Sequence, residues 1–381
     1  MPIFIDPSNN IKYAYSSIGP LDDIETANVI TSNNTSGDIV ILSQFTINDK
    51  VYMVTSISDN SFRNCNNITS VIIPEGITSI GNYAFSSCAK LKSIIIPDTV
   101  NTIGNSAFNA CSYLESIDIR GNVETIDANT FVGCTNVRTI TIPDSVTSIG
   151  KNAFAYCSKL SSITIPDGVL SIGDCAFGHC ARLLSIVIPE NVIYIGVNAF
   201  NSCVRLASVR FLSSKQITIH DRAFDEIASP ATAYVRHGAQ ISNMTQYFTN
   251  TIIMYTPIIS SIHPNNGVTS ASTKVTIIGS SFTNIVAVLF GSKKASNVVV
   301  INDTQIDVIV PTRIDAGTVD MTLINVYNEE FKITDGYTYL PLPLHLPSTL
   351  PLPINLNKPI EWITREQVTS YVNRMKESLH M

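Results

Sequence analysis

The stretch LKSIIIPDTVNTIGNSAFNAC (Leu91–Cys111) decides the reading, because its wording returns as LSSITIPDGVLSIGDCAFGHC (Leu160–Cys180) and LLSIVIPENVIYIGVNAFNSC (Leu183–Cys203). Phe62, Phe85, Phe108, Phe131, Phe154, Phe177 and Phe200 follow one another at steps of 23 residues. Cys65, Cys88, Cys111, Cys134, Cys157, Cys180 and Cys203 keep the same step. A fixed period of this length predicts a stacked solenoid.

One unit cannot fold alone. In the unit from Phe85 the apolar residues are Phe85, Cys88, Leu91, Ile94, Ile96, Val100, Ile103 and Ala107, with mostly polar residues between them. Burying a large apolar side chain contributes roughly 1.5–3 kcal/mol, whereas ordering each residue costs about 1–2 kcal/mol of backbone entropy. Neighbouring copies must supply the missing walls.

The pattern Ser-Ile-x-Ile at Ser93–Ile96, Ser162–Ile165 and Ser185–Ile188 alternates with period two and predicts short strands with the Ile pair inward. Pro74, Pro97, Pro143, Pro166 and Pro189 are expected to end them. The next segment, Val-x-x-Ile-Gly, is expected to turn the chain back, with Gly supplying a left-handed φ. The Ala-Phe-x-x-Cys run is expected to form a tight bend or a single helical turn.

The full pattern, Ala-Phe-x-x-Cys-x-x-Leu-x-x-Ile-x-Ile-Pro-x-x-Val-x-x-Ile-Gly, resembles the BspA-like leucine-rich repeats of bacterial and protist surface proteins and some large DNA viruses. The third copy departs from it, with Arg120-Gly121 for the usual Pro-acid pair, Asp127 for Gly and Thr130 for Ala. The resemblance implies adhesion or display at the surface of a cell or virus particle.

Ahead of the repeats, residues 1–60 read as a β cap. IFID and IKYAYSS flank the turn Pro7-Ser8-Asn9-Asn10, and Gly37–Ile57 reads as a hairpin about Asn48-Asp49-Lys50. The same hairpin precedes the repeats in the BspA-like family. A solenoid end needs such a lid because it exposes core and strand edge. Residues 61–255 are assigned to the solenoid, closed by a second lid at Thr232–Tyr255 with a strand, a turn at His237-Gly238, a short helix and a last strand.

Residues 256–340 alternate in short runs with regular turn residues, the mark of an antiparallel sandwich. This segment resembles the IPT/TIG immunoglobulin-like family through Ile262-x-Pro264-x-x-Gly267, Val275-x-Ile277-x-Gly279-x-x-Phe282, Val288-x-Phe290-Gly291, Val308-x-Val310-Pro311 and Tyr337-x-Tyr339. Ser270–Thr273 stand where members usually carry a Gly-Gly pair. The resemblance implies a spacer or protein-contact module. DNA-binding members use basic loops missing here.

Residues 341–360 are proline-rich and read as an extended linker. In residues 361–381, Thr364 and Gln367 have capping-box spacing, and Val368, Tyr371, Val372, Met375 and Leu379 share one helical face. This amphipathic tail would dock either on its own domain or on a partner protein. The fold class is therefore mainly β: seven 23-residue repeats with β caps, an immunoglobulin-like sandwich and a short C-terminal helix. Joints are expected near Thr256 and Pro341.

Charged residues make up 14% of the chain and the net charge is −6, so no basic face for nucleic acid is expected. No apolar run reaches the length needed to span a bilayer, and MPIFIDPSNN lacks the basic and apolar regions of a secretion signal. No membrane insertion is expected. The periodic cysteines read as small buried hydrophobes, reduced, which favours an intracellular interaction scaffold as the alternative function.

Cys175, His179 and Cys180 invite a metal reading, but Cys180 belongs to the inward column and Cys175 to an outward one, so no shared ion is expected. Glu75, Asp98, Asp144, Asp167 and Glu190 form a column that suits the turn after proline, the alternative being a cation or basic partner that relieves repulsion between stacked carboxylates. The sequence holds no nucleophile elbow, P-loop or dinucleotide fingerprint, and its scattered histidines pair with no nucleophile. Neither an enzyme nor a cofactor is expected.

The candidate binding residues are those pointing outward beside the Ile pair: Ile72, Ile95, Asp118, Thr141, Thr164, Val187 and Arg210. Next to them runs a hydroxyl column, Ser70, Ser93, Ser116, Thr139, Ser162, Ser185 and Ser208. Packing dictates the inward set only, so variation in the outward column is expected to serve recognition of a protein or glycan.

Overall fold

A computed structural model of the protein describes residues 1–15, 25–30 and 35–342. The C-terminal helix and most of the proline-rich linker expected from the sequence lie outside these residues. Two compact units emerge, Met1–Thr256 and Pro257–Met381.

In the first unit each coil has three sides. The Ser-Ile-x-Ile segments form one side as parallel strands, Ser93–Ile96, Ser116–Ile119 and Thr139–Thr141 in one group. Ser185–Ile188, Ser208–Phe211, Thr232–Arg236 and Asn250–Met254 form another. Their inward residues are buried: Ile94, Ile117 and Ile186 are each 2% exposed.

The second side corrects the expected turn. Val-x-x-Ile-Gly makes a two-residue parallel strand in each coil, running through Ser79–Ile80 and Thr102–Ile103, then from Thr125–Ile126 to Ser148–Ile149, Ser171–Ile172 and Tyr194–Ile195. The glycine after it does not take a left-handed φ. Instead the N–H of Gly173 donates to Ile149 O at 2.8 Å, and a Cβ on Gly173 would lie 2.8 Å from the backbone of Gly150 and Lys151. A side chain at Gly173 would push the neighbouring coil away.

Left-handed backbone occurs on the third side, where Ala-Phe-x-x-Cys makes tight turns and no helix. Tyr83, Ser106, Asn129, Asn152, Cys175 and Asn198 have φ of 52–57°, as do residues of φ 58–62° before the cysteines, such as Ser87, Ala110 and Tyr156. Alternate residues there divide their hydrogen bonds. Tyr83, Phe85 and Ser87 donate N–H to Asn105, Ala107 and Asn109 of the next coil at 2.7–2.9 Å, while Ala84, Ser86 and Cys88 donate three residues back at 3.0–3.3 Å. No amide in this turn is left without an acceptor, as buried backbone requires.

Behind these turns the phenylalanine rings stack face to face along the array, from Phe62–Phe85 at 5.0 Å to Phe131–Phe154 at 5.6 Å. The stack runs on through Phe200–Phe224 at 5.0 Å, although that last step is 24 residues. From Cys88 to Cys203 each inward thiol points back at a phenylalanine's backbone carbonyl: Cys88 Sγ donates to Phe62 O at 3.2 Å and Cys157 Sγ to Phe131 O at 3.4 Å. Coil spacing is widest where both of those distances peak. There Ser162–Ile165, expected as a strand, lies outside any ladder, and Ile163 is half-buried. The third copy keeps the fold: Gly121 avoids a clash with Val100 O, and Thr130 Oγ1 donates to Asp127 O at 2.8 Å.

The caps are continuations of the coils. Ser36–Val40, expected as a hairpin arm, pairs in parallel with Asn67–Ile72 and adds a rung to the first side. The hairpin is shorter, Gln44–Ile47 with Lys50–Ile57, around Asn48 and Asp49 at φ 50° and 63°. Phe4, Tyr13, Tyr15, Phe45 and Tyr52 pack together over this end. At the other end the lid read at Thr232–Tyr255 supplies two more rungs and a one-turn helix, Met244–Tyr247, with Phe248 closing on Phe224 at 5.2 Å.

In the second unit a four-stranded sheet and a five-stranded sheet enclose Val275, Ile277, Phe282, Val288, Phe290, Ile306, Met321, Tyr337 and Tyr339. Both Tyr residues of the closing motif face inward, and Tyr339 Oη donates to Pro311 O at 2.9 Å. Gly279 sits where a Cβ would fall 1.9 Å from Ile258 O.

The close approach at the coil glycines predicts that Gly173→Ala lowers stability by about 1–3 kcal/mol, the usual cost of overpacking. Gly178→Ala, whose Cβ would meet nothing nearer than 3.4 Å, should be neutral or slightly stabilising. Urea midpoints of the two variants check this, and equal midpoints would contradict the close-packing account.

Candidate recognition surface

The outward residues of the first side form an exposed face. Ile72 is 60% exposed, Ile95 50% and Val187 40%. Thr141 and Thr164 are exposed, while Asp118 and Arg210 are half-buried. Ladder register places Ile95, Asp118 and Thr141 side by side, and Val187 beside Arg210. Thr164 lies in the segment outside the ladder, so its neighbours are not fixed by strand pairing.

Register also extends the column beyond the residues read from the sequence. Val40 pairs with Ile72 at one end, and at the other Arg210 pairs with Tyr234 and Tyr234 with Ile252. Alternation in the strands of Ser36–Val40, Thr232–Arg236 and Asn250–Met254 was the available signal; assigning those segments to lids hid it. With ten coils at about 4.8 Å each, the face is roughly 40 Å long.

The hydroxyl column has its own anchor. Asp38 accepts from Ser70 Oγ at 2.6 Å and Thr69 Oγ1 at 2.8 Å, and these bonds hold its carboxyl below the usual range. Beside it, Asn67, Thr69, Lys90, Lys92 and Tyr113 line a shallow groove where the coils enter the sheet. In the third copy Arg120 Nε pairs with Asp118 at 2.8 Å, an exposed contact worth little by itself.

The turn side offers less. Cys175 and Cys180 do diverge: Cys175 is half-buried near the surface, and Cys180 is buried with its thiol on Phe154 O at 3.3 Å. His179 stacks on Tyr156 at 4.4 Å. Among the described residues no group of three or more His, Cys, Asp or Glu could hold a metal ion. The column Glu75, Asp98, Asp144, Asp167 and Glu190 is exposed throughout.

Burial pushes the inner thiols up, Cys203 to about 12, and Cys111, Cys134, Cys157 and Cys180 well above their ordinary value. The folded chain thus keeps protons that the unfolded chain releases above 9.0. The associated stability is complete below that pH and is lost as pH rises through about 12 for Cys203. Native alkylation at mildly alkaline pH should therefore modify Cys175 alone. Rapid labelling of several inner cysteines, or recovery of native disulfides, would contradict the thiol ladder.

A model described as BspA type leucine-rich repeat region (6 copies) matches residues 37–160 and 147–275, and the IPT/TIG domain model matches residues 257–339. Their overlap falls in the sandwich, where Ile258–His263 pairs with Lys274–Ser280. A leucine rich cell surface protein from Faecalibacterium prausnitzii is similar in structure, with 26% identity, a TM-score of 0.49, and coverage of 67% of this chain and 78% of that one. The T. pallidum leucine rich repeat protein is 28% identical, with a TM-score of 0.44 and coverage of 51% and 87%. An ankyrin and IPT/TIG repeat-containing protein of Schizosaccharomyces pombe is 27% identical over 168 residues, 40% of this chain. The chain spans 14% of the length of that curated relative.

Proposed function

The chain belongs to the BspA type leucine-rich repeat family and carries an IPT/TIG domain, and from that premise we propose a non-enzymatic, adhesion-type binding protein whose sheet face takes a protein or glycan ligand at the surface of a cell or virus particle. Both families are binding folds, which makes the chain a protein-interaction or adhesion-type module. The observation that supports the finer reading is the unequal use of one strand. Inward residues are nearly uniform and buried, while outward neighbours run from Ile95 through Asp118 and Thr141 on one ladder to Val187 and Arg210 on the next. A rigid array holding varied side chains binds without first ordering itself, which removes an entropic cost.

The ladder of thiols directed at phenylalanine carbonyls supports a second reading, an interaction scaffold inside the cell. Fractionation of the native protein between cytosol and surface or particle separates the two.

The binding face is tested by probing arrays of glycans and short peptides with the labelled chain. Thr141→Arg together with Thr164→Arg should weaken the hits by at least about tenfold, since a long side chain at the centre of an interface removes complementarity. Unchanged binding by a double variant with wild-type thermal stability would move the site to the immunoglobulin-like unit or the tail.

A further inference from the structure

Carboxylates in the array are sorted by side. From residue 135 onward, the segments that enter and form the sheet face carry Arg138, Lys159, Arg182, Arg205, Arg210 and Arg236 and no Asp or Glu. The carboxylates of the same coils, including Asp144, Asp167, Asp174, Glu190 and Glu226, lie in the second and third sides or the turns leading to them. A net charge of −6 over the whole chain conceals this local sorting. On the preceding coils the pattern is mixed, with Asp38, Glu115 and Asp118 among Lys90 and Lys92.

At its C-terminal end the cationic face is also apolar. Leu184 is 47% exposed, Val187 40%, Val204 54% and Ile252 42%. Arg182 and Arg205 are exposed at the corners where these coils enter the sheet, Arg182 two residues before Leu184 and Arg205 next to Val204 in the chain. The corresponding positions three coils and more earlier, Lys90, Lys92 and Tyr113, line one shared groove, so corner and strand-entry side chains there address a common ligand space. Across the ladder Val187, Arg210, Tyr234 and Ile252 stand on successive rungs.

We propose that this end of the sheet face binds an acidic segment of a partner protein, one with apolar or aromatic residues interspersed among its Asp and Glu side chains. Guanidinium groups match carboxylates in fork geometry, and the absence of carboxylates from these segments leaves nothing on them to repel the ligand. The exposed aliphatic side chains between the arginines give an apolar ligand residue area to cover. A sulfated glycan or a nucleic acid backbone would engage the arginines and leave that area uncovered. The inference rests on the sheet face being the binding surface and names its partner chemistry.

The test uses the full chain and a fluorescent synthetic peptide in which Asp and Glu alternate with Leu and Tyr, read by anisotropy. Arg182→Glu with Arg205→Glu should weaken binding by more than about tenfold, as expected for losing charge-paired arginine contacts. Lys151→Glu with Lys215→Glu, exposed on the other two sides of the array, should leave it unchanged. Raising salt should weaken the wild type and have less effect on the arginine double variant. If the Glu pair does not fold, Arg182→Gln with Arg205→Gln carries the same comparison. The proposal is overturned if the peptide does not bind, if a Lys/Arg version of it or an all-acidic one binds as tightly, if heparin or a DNA oligonucleotide displaces it as effectively as unlabelled peptide, or if the arginine variants bind normally. Should the peptide fail while array hits still depend on Thr141 and Thr164, only the partner chemistry falls; if those hits are also unaffected, the sheet face itself is wrong.

Discussion

The repeat depends on an axial bond between coils. Phe85 cannot satisfy its amide within its own turn; its N–H reaches Ala107 of the next coil at 2.7 Å while its ring lies on Phe108 at 5.2 Å. The carbonyl of Phe85 receives the amide of Cys88 and the thiol of Cys111. Every coil is thus completed by its neighbours, and the ends need the aromatic cluster around Phe45 and the closing pair Tyr247 and Phe248. Stability then accrues from intrinsic coil terms and nearest-neighbour terms, as in other solenoids.

This arrangement divides each strand into a face that folding uses and one that it does not. The inward Phe, Cys, Leu and Ile positions and the close-contact glycines fix the coil, and the outward sheet positions are left to vary. The same sheet that is hydroxylated in one column carries aliphatic, acidic and cationic side chains in the next. Fixed ladders on either side of Ser162–Ile165 present them on successive coils.

Much of this was legible from the period of Phe and Cys, which gave the coil, its inward residues and the exposed column from Ile72 to Arg210. The second ladder was not legible, because strands of two residues such as Ser79–Ile80 are too short to show alternation. The role of glycine was misread for a physical reason: a residue needed for close approach and one needed for left-handed φ look identical in sequence. The left-handed positions carried only a partial mark, Asn at Asn129, Asn152 and Asn198 but other residues at Tyr83, Ser106 and Cys175, since the axial hydrogen bonds offset a backbone conformation that favours glycine and asparagine. Val40, Tyr234 and Ile252 were missed because strands at the ends of the array were taken as lids. The cationic face was hidden by a net charge that sums over all three sides.

Native-state amide hydrogen exchange tests the axial coupling most directly. The amides of Phe108, Phe131 and Phe154, which donate only across coils, should exchange together and slowly, with the cooperative opening of adjacent coils. Exchange of these amides at the rate of exposed turn residues, or independently of one another, would contradict a fold held by its neighbours.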